Sequence, residues 1–154
     1  MEVKLAYLGI DIGTSACKAL VLGKDGNVLA SYTSEYGLDQ PQPGWTEQNP
    51  RVWIKGAKEA ISGALSKIPN SNISALGLSG QMHGLTPIDK SGNVIRPAIL
   101  WNDQRNSEEA AEIEGLVGGP DELIKLTNNR MLIGYTGGKI LWMQKHEPDN
   151  FDKI

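Results

Sequence analysis

A lone carboxylate, Asp11, closes an apolar run and is followed at once by the turn Gly13, Thr14 and Ser15. Backbone N–H groups and hydroxyls in such a turn suit phosphate oxygens, and a neighbouring carboxylate suits a hydrated magnesium ion. Lys18 can add a point charge to the same phosphates. The stretch predicts a nucleotide phosphate site. The pattern alone equally fits an aspartate that stabilises a hairpin, with Lys18 as a solvated lysine.

Two further stretches suit a ligand rich in hydroxyl groups. Gln81 and His83 follow an apolar strand that we predict to be buried, and ligands of α/β sheets gather at the carboxyl ends of strands. The alternative is a tight turn with a hydrogen-bonded histidine.

The second of these stretches offers an indole, an amide, a carboxylate and a guanidinium, on Trp101, Asn102, Asp103 and Arg105. The ring suits the C–H face of a polyol, and the polar groups suit its hydroxyls. In the alternative interpretation, Asn102 or Asp103 caps the next helix and Arg105 pairs on the surface.

Several other classes of protein are not supported. No G-x-G-x-x-G follows a strand, and Gly138-Lys139 lacks the remaining residues of a P-loop. His83 and His146 are too far apart in the sequence for a zinc motif. The net charge of −3, with scattered basic residues, does not indicate nucleic-acid binding. No apolar stretch has membrane-spanning length, and the single Cys17, expected in the core, fits a cytoplasmic protein.

The polar stretches lie among elements of a mixed α/β sheet. An antiparallel meander is predicted first, then a helix capped by Asn49 that begins at Pro50, and then a parallel strand. The predicted strands are 5–11, 16–22, 28–34, 73–79 and 98–101, with a hairpin of 85–88 and 93–95. The later predicted helices are 106–116, 121–126 and 137–146, the last capped by Thr136 with Ile140, Leu141 and Met143 or Gln144 inside.

Together these stretches resemble the N-terminal part of the FGGY carbohydrate kinases, and within them the members that phosphorylate D-xylulose. The resemblance covers nearly the whole chain. It is carried by an ordered set of motifs at residues 9–15, 44–50, 79–84, 96–105, 139–142 and 145–148.

The resemblance implies a ribonuclease H-like fold of the actin-like ATPase superfamily and ATP-dependent phosphorylation of D-xylulose or a related ketose. By match of motif, Asp11 would act on magnesium and the phosphates, with Gly13, Thr14 and Ser15 near the transferred group. The residues expected to line the sugar, or to brace its wall, are Gln81, Met82, His83, Trp101, Asn102, Asp103 and Arg105.

The resemblance also implies that residues 1–154 are a truncated N-terminal kinase domain. The family's catalytic aspartate and ATP-binding second domain match nothing here, so this piece alone is expected to be inactive. Family members often form dimers, which makes a homodimer possible. The alternatives are an FGGY kinase for another ketose or polyol, and a sugar-binding fragment without catalysis. Gly137-Gly138 departs from the family pattern and weakens the start of the last helix.

Overall fold

The structure is a computed structural model that describes residues 4–154. These residues divide into two compact units, formed by residues 4–38 with 51–81 and by residues 39–50 with 82–154.

The first unit is built on a four-stranded mixed sheet. Its elements are β1 (Lys4–Ile12), β2 (Ala16–Gly23), β3 (Val28–Glu35), α1 (Pro50–Leu65) and β5 (Ser71–Gly80). The strands lie in the order β3-β2-β1-β5. The first three strands pair antiparallel, and β5 runs parallel to β1. The structure thus confirms the predicted meander and the parallel strand that follows the helix.

The core of the first unit lies between the sheet and helix α1, which approaches the sheet closely. Ala60 and Ala64 on the helix are fully buried. A Cβ at Gly63 would lie 2.5 Å from the Cγ atom of Tyr32, so this position has no room for a side chain. Ile54 on the same helix is 59% exposed and does not contribute to this core.

Strand β5 differs from the buried strand that its apolar sequence predicts. It occupies an edge of the sheet. Leu76 and Leu78 are 54% and 72% exposed, because no other described strand pairs with the outer side of β5. An apolar sequence indicates that a strand can be buried, not which element of the chain covers it.

The second unit holds a two-stranded antiparallel sheet and four helices. Its elements are β4 (Glu47–Gln48), β6 (Ala98–Ile99), α2 (Ser107–Leu116), α3 (Pro120–Thr127), α4 (Thr136–His146) and α5 (Pro148–Phe151). Ile99, Trp142 and Met143 form its apolar core. Strand β4 and helix α5 were not predicted, and the predicted strand 98–101 is shorter in the structure.

Helix α4 confirms Met143 as an inner position but otherwise turns a different face inward from the predicted one. Lys139, Trp142 and Met143 are buried, whereas Ile140 is 44% exposed and Gln144 is also exposed. The helix begins at Thr136, with Tyr135 at the N-cap position and no side-chain cap. The predicted Thr136 cap is therefore wrong.

The predicted hairpin around residues 89–92 is reduced to a turn with one bridge, between Ile88 and Val94. Asp89 accepts hydrogen bonds from the backbone N–H groups of Ser91 and Asn93, both at 2.8 Å, and Gly92 has a positive φ of 80°. The hydrogen bonds of the turn are present, but the segments on either side of it form no continuous β-ladder. Within residues 4–154, no helix has the length and apolarity needed to cross a bilayer.

Candidate functional site

The turn after Asp11 is held rigidly within the first unit. The N–H of Gly13 donates to the carbonyl of Ala16 at 2.9 Å, and the Tyr36 hydroxyl donates to the carbonyl of Gly13 at 2.7 Å. The N–H of Gln81 donates to the carbonyl of Ile12 at 2.8 Å. The turn is therefore fixed by the residues that directly follow β3 and β5, and the N–H of Gly13 is used inside it.

The two hydroxyl side chains of the turn, those of Thr14 and Ser15, differ in exposure. The Thr14 hydroxyl donates to Oε1 of Gln81 at 3.1 Å, so the first unit joins a predicted phosphate residue to a predicted sugar residue. Ser15 is exposed at the tip. Gly13, Thr14 and Ser15 thus form one turn, in which the exposed Ser15 side chain offers a hydroxyl group at the surface.

Asp11 and Lys18 lie opposite each other on β1 and β2, and both are exposed. They line a groove of about 370 Å³ over the sheet. Burial, followed by the charges of Cys17 and Asp11, raises the pKa of Tyr36 to about 12. An ionised Asp11 therefore acts electrostatically on the interior beneath the turn.

An exposed strand-end carboxylate fits magnesium, which retains several waters and takes one or two protein carboxylates. Among the described residues, no group of three or more His, Cys, Asp or Glu side chains could hold a metal ion. The donor set fits a hydrated ion shared with phosphates, rather than an ion enclosed by protein.

The second unit contains a separate cavity of about 430 Å³. His83, Trp101 and Asn102, three of the predicted sugar residues, are exposed residues that line it, and Trp101 is 49% exposed. Its full lining consists of His83, Trp101, Asn102, Asp103, Gln104, Leu132, Ile133, Gly134 and Tyr135. Apolar and polar groups face the same space, which suits a small polyhydroxylated ligand.

The cavity includes residues that the sequence reasoning missed. Gln104 and residues 132–135 contribute to its wall, and the Tyr135 ring lies 4.5 Å from that of His83, centroid to centroid. Segment 132–135 has no periodicity and no charged residue, so nothing in its local sequence distinguishes it. Met82 was predicted to line the sugar site, but it is 69% exposed and not part of the lining.

Asp103 and Arg105 form a buried brace next to the cavity. Oδ1 of Asp103 accepts from the backbone N–H and the Nε of Arg105, at 3.0 and 2.8 Å. Oδ2 accepts from Nη2 of Arg105 at 2.8 Å and from the N–H of Thr46 at 2.5 Å. The Arg105 guanidinium is fully buried, 3.8 Å from the centre of the Trp45 ring and 4.9 Å from that of Trp142.

This brace rules out the alternative in which residues 101–105 only cap the next helix and form a surface ion pair. Surface pairing of Arg105 is wrong because its side chain is buried. Capping by Asn102 or Asp103 is also wrong, because Asn106 occupies the N-cap position of α2 and makes no side-chain cap bond.

The brace also joins two sequence motifs that are about 50 residues apart. Glu47 and Ile99 are partners across β4 and β6. Oε1 of Glu47 lies 2.7 Å from Nη1 of Arg105 and also pairs with Arg96, whose Nη1 lies 2.6 Å from Glu147. Segments 44–50 and 96–105 therefore form one electrostatic network supporting the cavity wall.

Comparisons with known proteins identify the family. Residues 6–154 match the FGGY family of carbohydrate kinases, N-terminal domain. A xylulose kinase of Staphylococcus xylosus is 43% identical over 151 residues, which cover 97% of this chain and 31% of that protein. The xylulose kinase of Escherichia coli (strain K12) is 40% identical over 148 residues, covering 96% of this chain and 30% of that protein.

The fold is shared with solved structures. The crystal structure of a xyloylose kinase from Brucella ovis is similar with a TM-score of 0.91 and 39% identity, covering 97% of this chain and 31% of that one. These relatives confirm the predicted ribonuclease H-like fold of the actin-like ATPase superfamily. The chain spans about a third of the length of the curated relatives it matches. The chain belongs to the FGGY family of carbohydrate kinases, whose N-terminal domain its residues 6–154 match.

Proposed function

We propose that this chain is the sugar-binding N-terminal domain of an ATP-dependent kinase that phosphorylates D-xylulose to xylulose 5-phosphate. The observation that carries the proposal is the cavity of the second unit, lined by His83, Trp101 and Asn102. Its support in sequence is the 43% and 40% identity to proteins named xylulose kinase.

In this proposal, the half-exposed Trp101 indole packs on the C–H face of the sugar, and Leu132 adds apolar surface. The Asn102 amide and the His83 imidazole exchange hydrogen bonds with the sugar hydroxyls. Asp103 and Arg105 act indirectly, by holding the backbone that presents Trp101 and Asn102. Gln81 and Met82 do not line this cavity. We also propose them as sugar contacts, because segment 79–84 resembles the sugar-site motif of the family.

The turn of the first unit is the proposed phosphate side of the reaction. Gly13, Thr14 and Ser15 would contact the transferred phosphoryl group, and Lys18 would contribute positive charge. Asp11 would hold magnesium through its waters, and the ion would neutralise the phosphate charge that develops during transfer. Phosphoryl transfer depends mainly on such positioning and charge neutralisation.

We place the catalytic base and the ATP-binding domain in a further part of the protein, since no residue of this chain matches the family's base. The chain alone is then expected to bind sugar without turning it over.

The proposal is tested with a chimera in which this chain replaces the matched 148 residues of the Escherichia coli xylulose kinase. ATP consumption is measured with D-xylulose, D-ribulose, gluconate and glycerol, beside the isolated chain. We expect turnover of D-xylulose by the chimera and none by the isolated chain. Preference for another substrate would make the domain a kinase domain for that sugar, and turnover by the isolated chain would refute the two-domain proposal.

Asp11→Asn in the chimera tests the phosphate side, with Glu35→Gln as the matched control. Both substitutions neutralise an exposed carboxylate in the strands of one sheet. We expect Asp11→Asn to lower kcat by about 100-fold or more, as loss of a transition-state charge contact does, and Glu35→Gln to leave kcat unchanged. Equal effects of the two substitutions on kcat would show that Asp11 has no special role in phosphoryl transfer.

A further inference from the structure

Lys139 is a fully buried lysine that the proposed reaction does not use. It lies on helix α4 with none of its surface exposed. Its Nζ donates hydrogen bonds to two backbone carbonyls, that of His83 at 2.8 Å and that of Gly134 at 2.5 Å. An ammonium group is rarely buried without compensation, and these two contacts offset part of the cost of burying it.

The carbonyl that Lys139 binds belongs to a residue in an unusual backbone conformation. His83 has a φ of 61°, a left-handed conformation that residues with a Cβ seldom adopt. Such a residue keeps this conformation only where its surroundings impose it. The Thr136 hydroxyl also donates to the His83 carbonyl, at 3.2 Å, and the Tyr135 ring packs on the imidazole.

These contacts all come from one short segment. Gly134, Tyr135, Thr136 and Lys139 lie in or just before the first turn of α4. His83 and Gly134 both line the cavity of the second unit. The buried ammonium therefore ties two separate parts of the cavity wall, at positions 83 and 134, to the start of one helix.

We propose that Lys139 is a positioning residue that fixes the left-handed backbone of His83 and the direction in which its imidazole faces the cavity. The inference rests on the proposed function only for the identity of the ligand. Lys139 touches the backbone of the wall, so its role is to hold His83 in place for a hydroxyl group.

The charges around Lys139 allow its buried amino group to stay protonated at neutral pH, although burial disfavours the charged form. Burial lowers the pKa of Lys139 to about 8, the nearby Asp103 carboxylate opposes that shift, and the Arg105 guanidinium reinforces it. The charge is therefore present at neutral pH and is removed by mild alkali.

The test compares Lys139→Met with Lys145→Met in the full 154-residue chain by NMR. Both variants remove one lysine charge from helix α4, but Lys145 is partly exposed and pairs with Glu112. The Cα and Cβ shifts of His83 report its backbone conformation. We expect Lys139→Met to reduce the left-handed population of His83 by about tenfold or more. Lys145→Met should leave it unchanged.

If Lys139→Met does not fold, the wild-type chain is titrated from pH 7 to pH 10. The His83 shifts should then follow the midpoint of the Lys139 Cε shift. His83 shifts that stay left-handed in a folded Lys139→Met chain, or that ignore the Lys139 titration, would overturn the inference.

The ligand is tested separately by titrating each folded chain with D-xylulose. Weaker binding by about tenfold in Lys139→Met, with Lys145→Met like the wild type, would connect the backbone effect to sugar binding. If the wild-type chain binds no sugar while His83 still depends on Lys139, the positioning role stands and the proposed ligand is wrong.

Discussion

Two adjacent residues of the 101–105 segment line the same cavity but differ in burial. Asn102 is exposed at the wall, whereas the Asp103 carboxylate is buried and accepts four hydrogen bonds from Arg105 and Thr46. Neutralising Asp103 would leave the buried Arg105 guanidinium, between two indole rings, with the Glu47 carboxylate that it shares with Arg96 as its remaining partner ion. Asn102 is therefore expected to affect mainly ligand binding, and Asp103 mainly the stability of the fold.

We predict that Asp103→Asn lowers the free energy of unfolding by about 3–5 kcal/mol, and that Asn102→Ala changes it by less than about 0.5 kcal/mol. Chemical denaturation followed by tryptophan fluorescence measures both. In a D-xylulose titration, Asn102→Ala should weaken binding while the fold is retained. Equal stability losses would show that Asn102 also braces the wall.

The lowered pKa of Lys139 makes stability depend on pH in a defined direction. In the folded chain the pKa is about 8, and the ordinary value is 10.5. Between these values the unfolded chain binds a proton that the folded chain lacks, so the unfolding free energy rises with pH. Below pH 8 both states are protonated and this contribution is constant.

We therefore expect the unfolding free energy of the wild type, minus that of Lys139→Met, to increase by about 2 kcal/mol from pH 7.5 to pH 9.5. Urea denaturation at both pH values measures it. The subtraction cancels the opposite contributions of Cys17 and Tyr36, whose pKa values are raised by burial. A difference independent of pH would mean that folding does not lower the pKa of Lys139.

At the scale of elements, packing at the start of helix α4 explains one of the two adjacent glycines, Gly138. A Cβ at Gly138 would overlap Nδ2 of Asn106, whose fully buried amide has no hydrogen-bond partner among the described residues. A Cβ at Gly137 would meet only the flexible end of Met131, at 3.1 Å. The glycine at 138 is therefore required by packing against Asn106, not by backbone conformation.

We predict that Gly138→Ala lowers the free energy of unfolding by about 1–3 kcal/mol through overpacking, despite alanine's better helix propensity. Gly137→Ala, one residue away, should be nearly neutral. In the double variant Asn106→Ala/Gly138→Ala the loss at Gly138 should largely disappear, which a double-mutant cycle of thermal or urea unfolding measures. Additive losses would refute the proposed overlap.

The elements that could be predicted are those with a local signal. Alternating apolar residues around Asp25-Gly26 specify the meander, and Pro50 marks the start of α1. Strand β4 has only two residues and exists because it pairs with β6, about 50 residues later. The inner face of α4 was predicted only in part, because Met143 is buried as expected but Lys139 is buried where its polarity predicts exposure.

The site residues also divide into those with a local sequence signal and those without one. His83, Trp101 and Asn102 were predicted from their residue types, and the cavity contains all of them. Residues 132–135 could not be predicted, because only the tertiary fold brings an uncharged loop segment beside them. Arg105 was predicted to complete or brace the sugar wall, and its guanidinium is enclosed by two tryptophans, so its contacts lie inside the protein.

At the scale of the whole molecule, the two units have separate apolar cores. Leu8 is buried in the core of the first unit, and Met143 in that of the second. A segment whose buried contacts are weakened opens more often, so amide exchange reports where a substitution acts. Each unit is thus expected to respond chiefly to changes in its own core.

We predict that Leu8→Ala and Met143→Ala each destabilise by about 2–5 kcal/mol, but with different exchange patterns. Leu8→Ala should accelerate exchange in strands β1, β2 and β3, and Met143→Ala in helices α2 and α4. Hydrogen-exchange mass spectrometry on the full chain, with the exposed Ile54→Ala as control, resolves the two patterns. Uniform acceleration in both variants would mean that the units unfold together, and that loss of the cavity wall also releases the Asp11 turn.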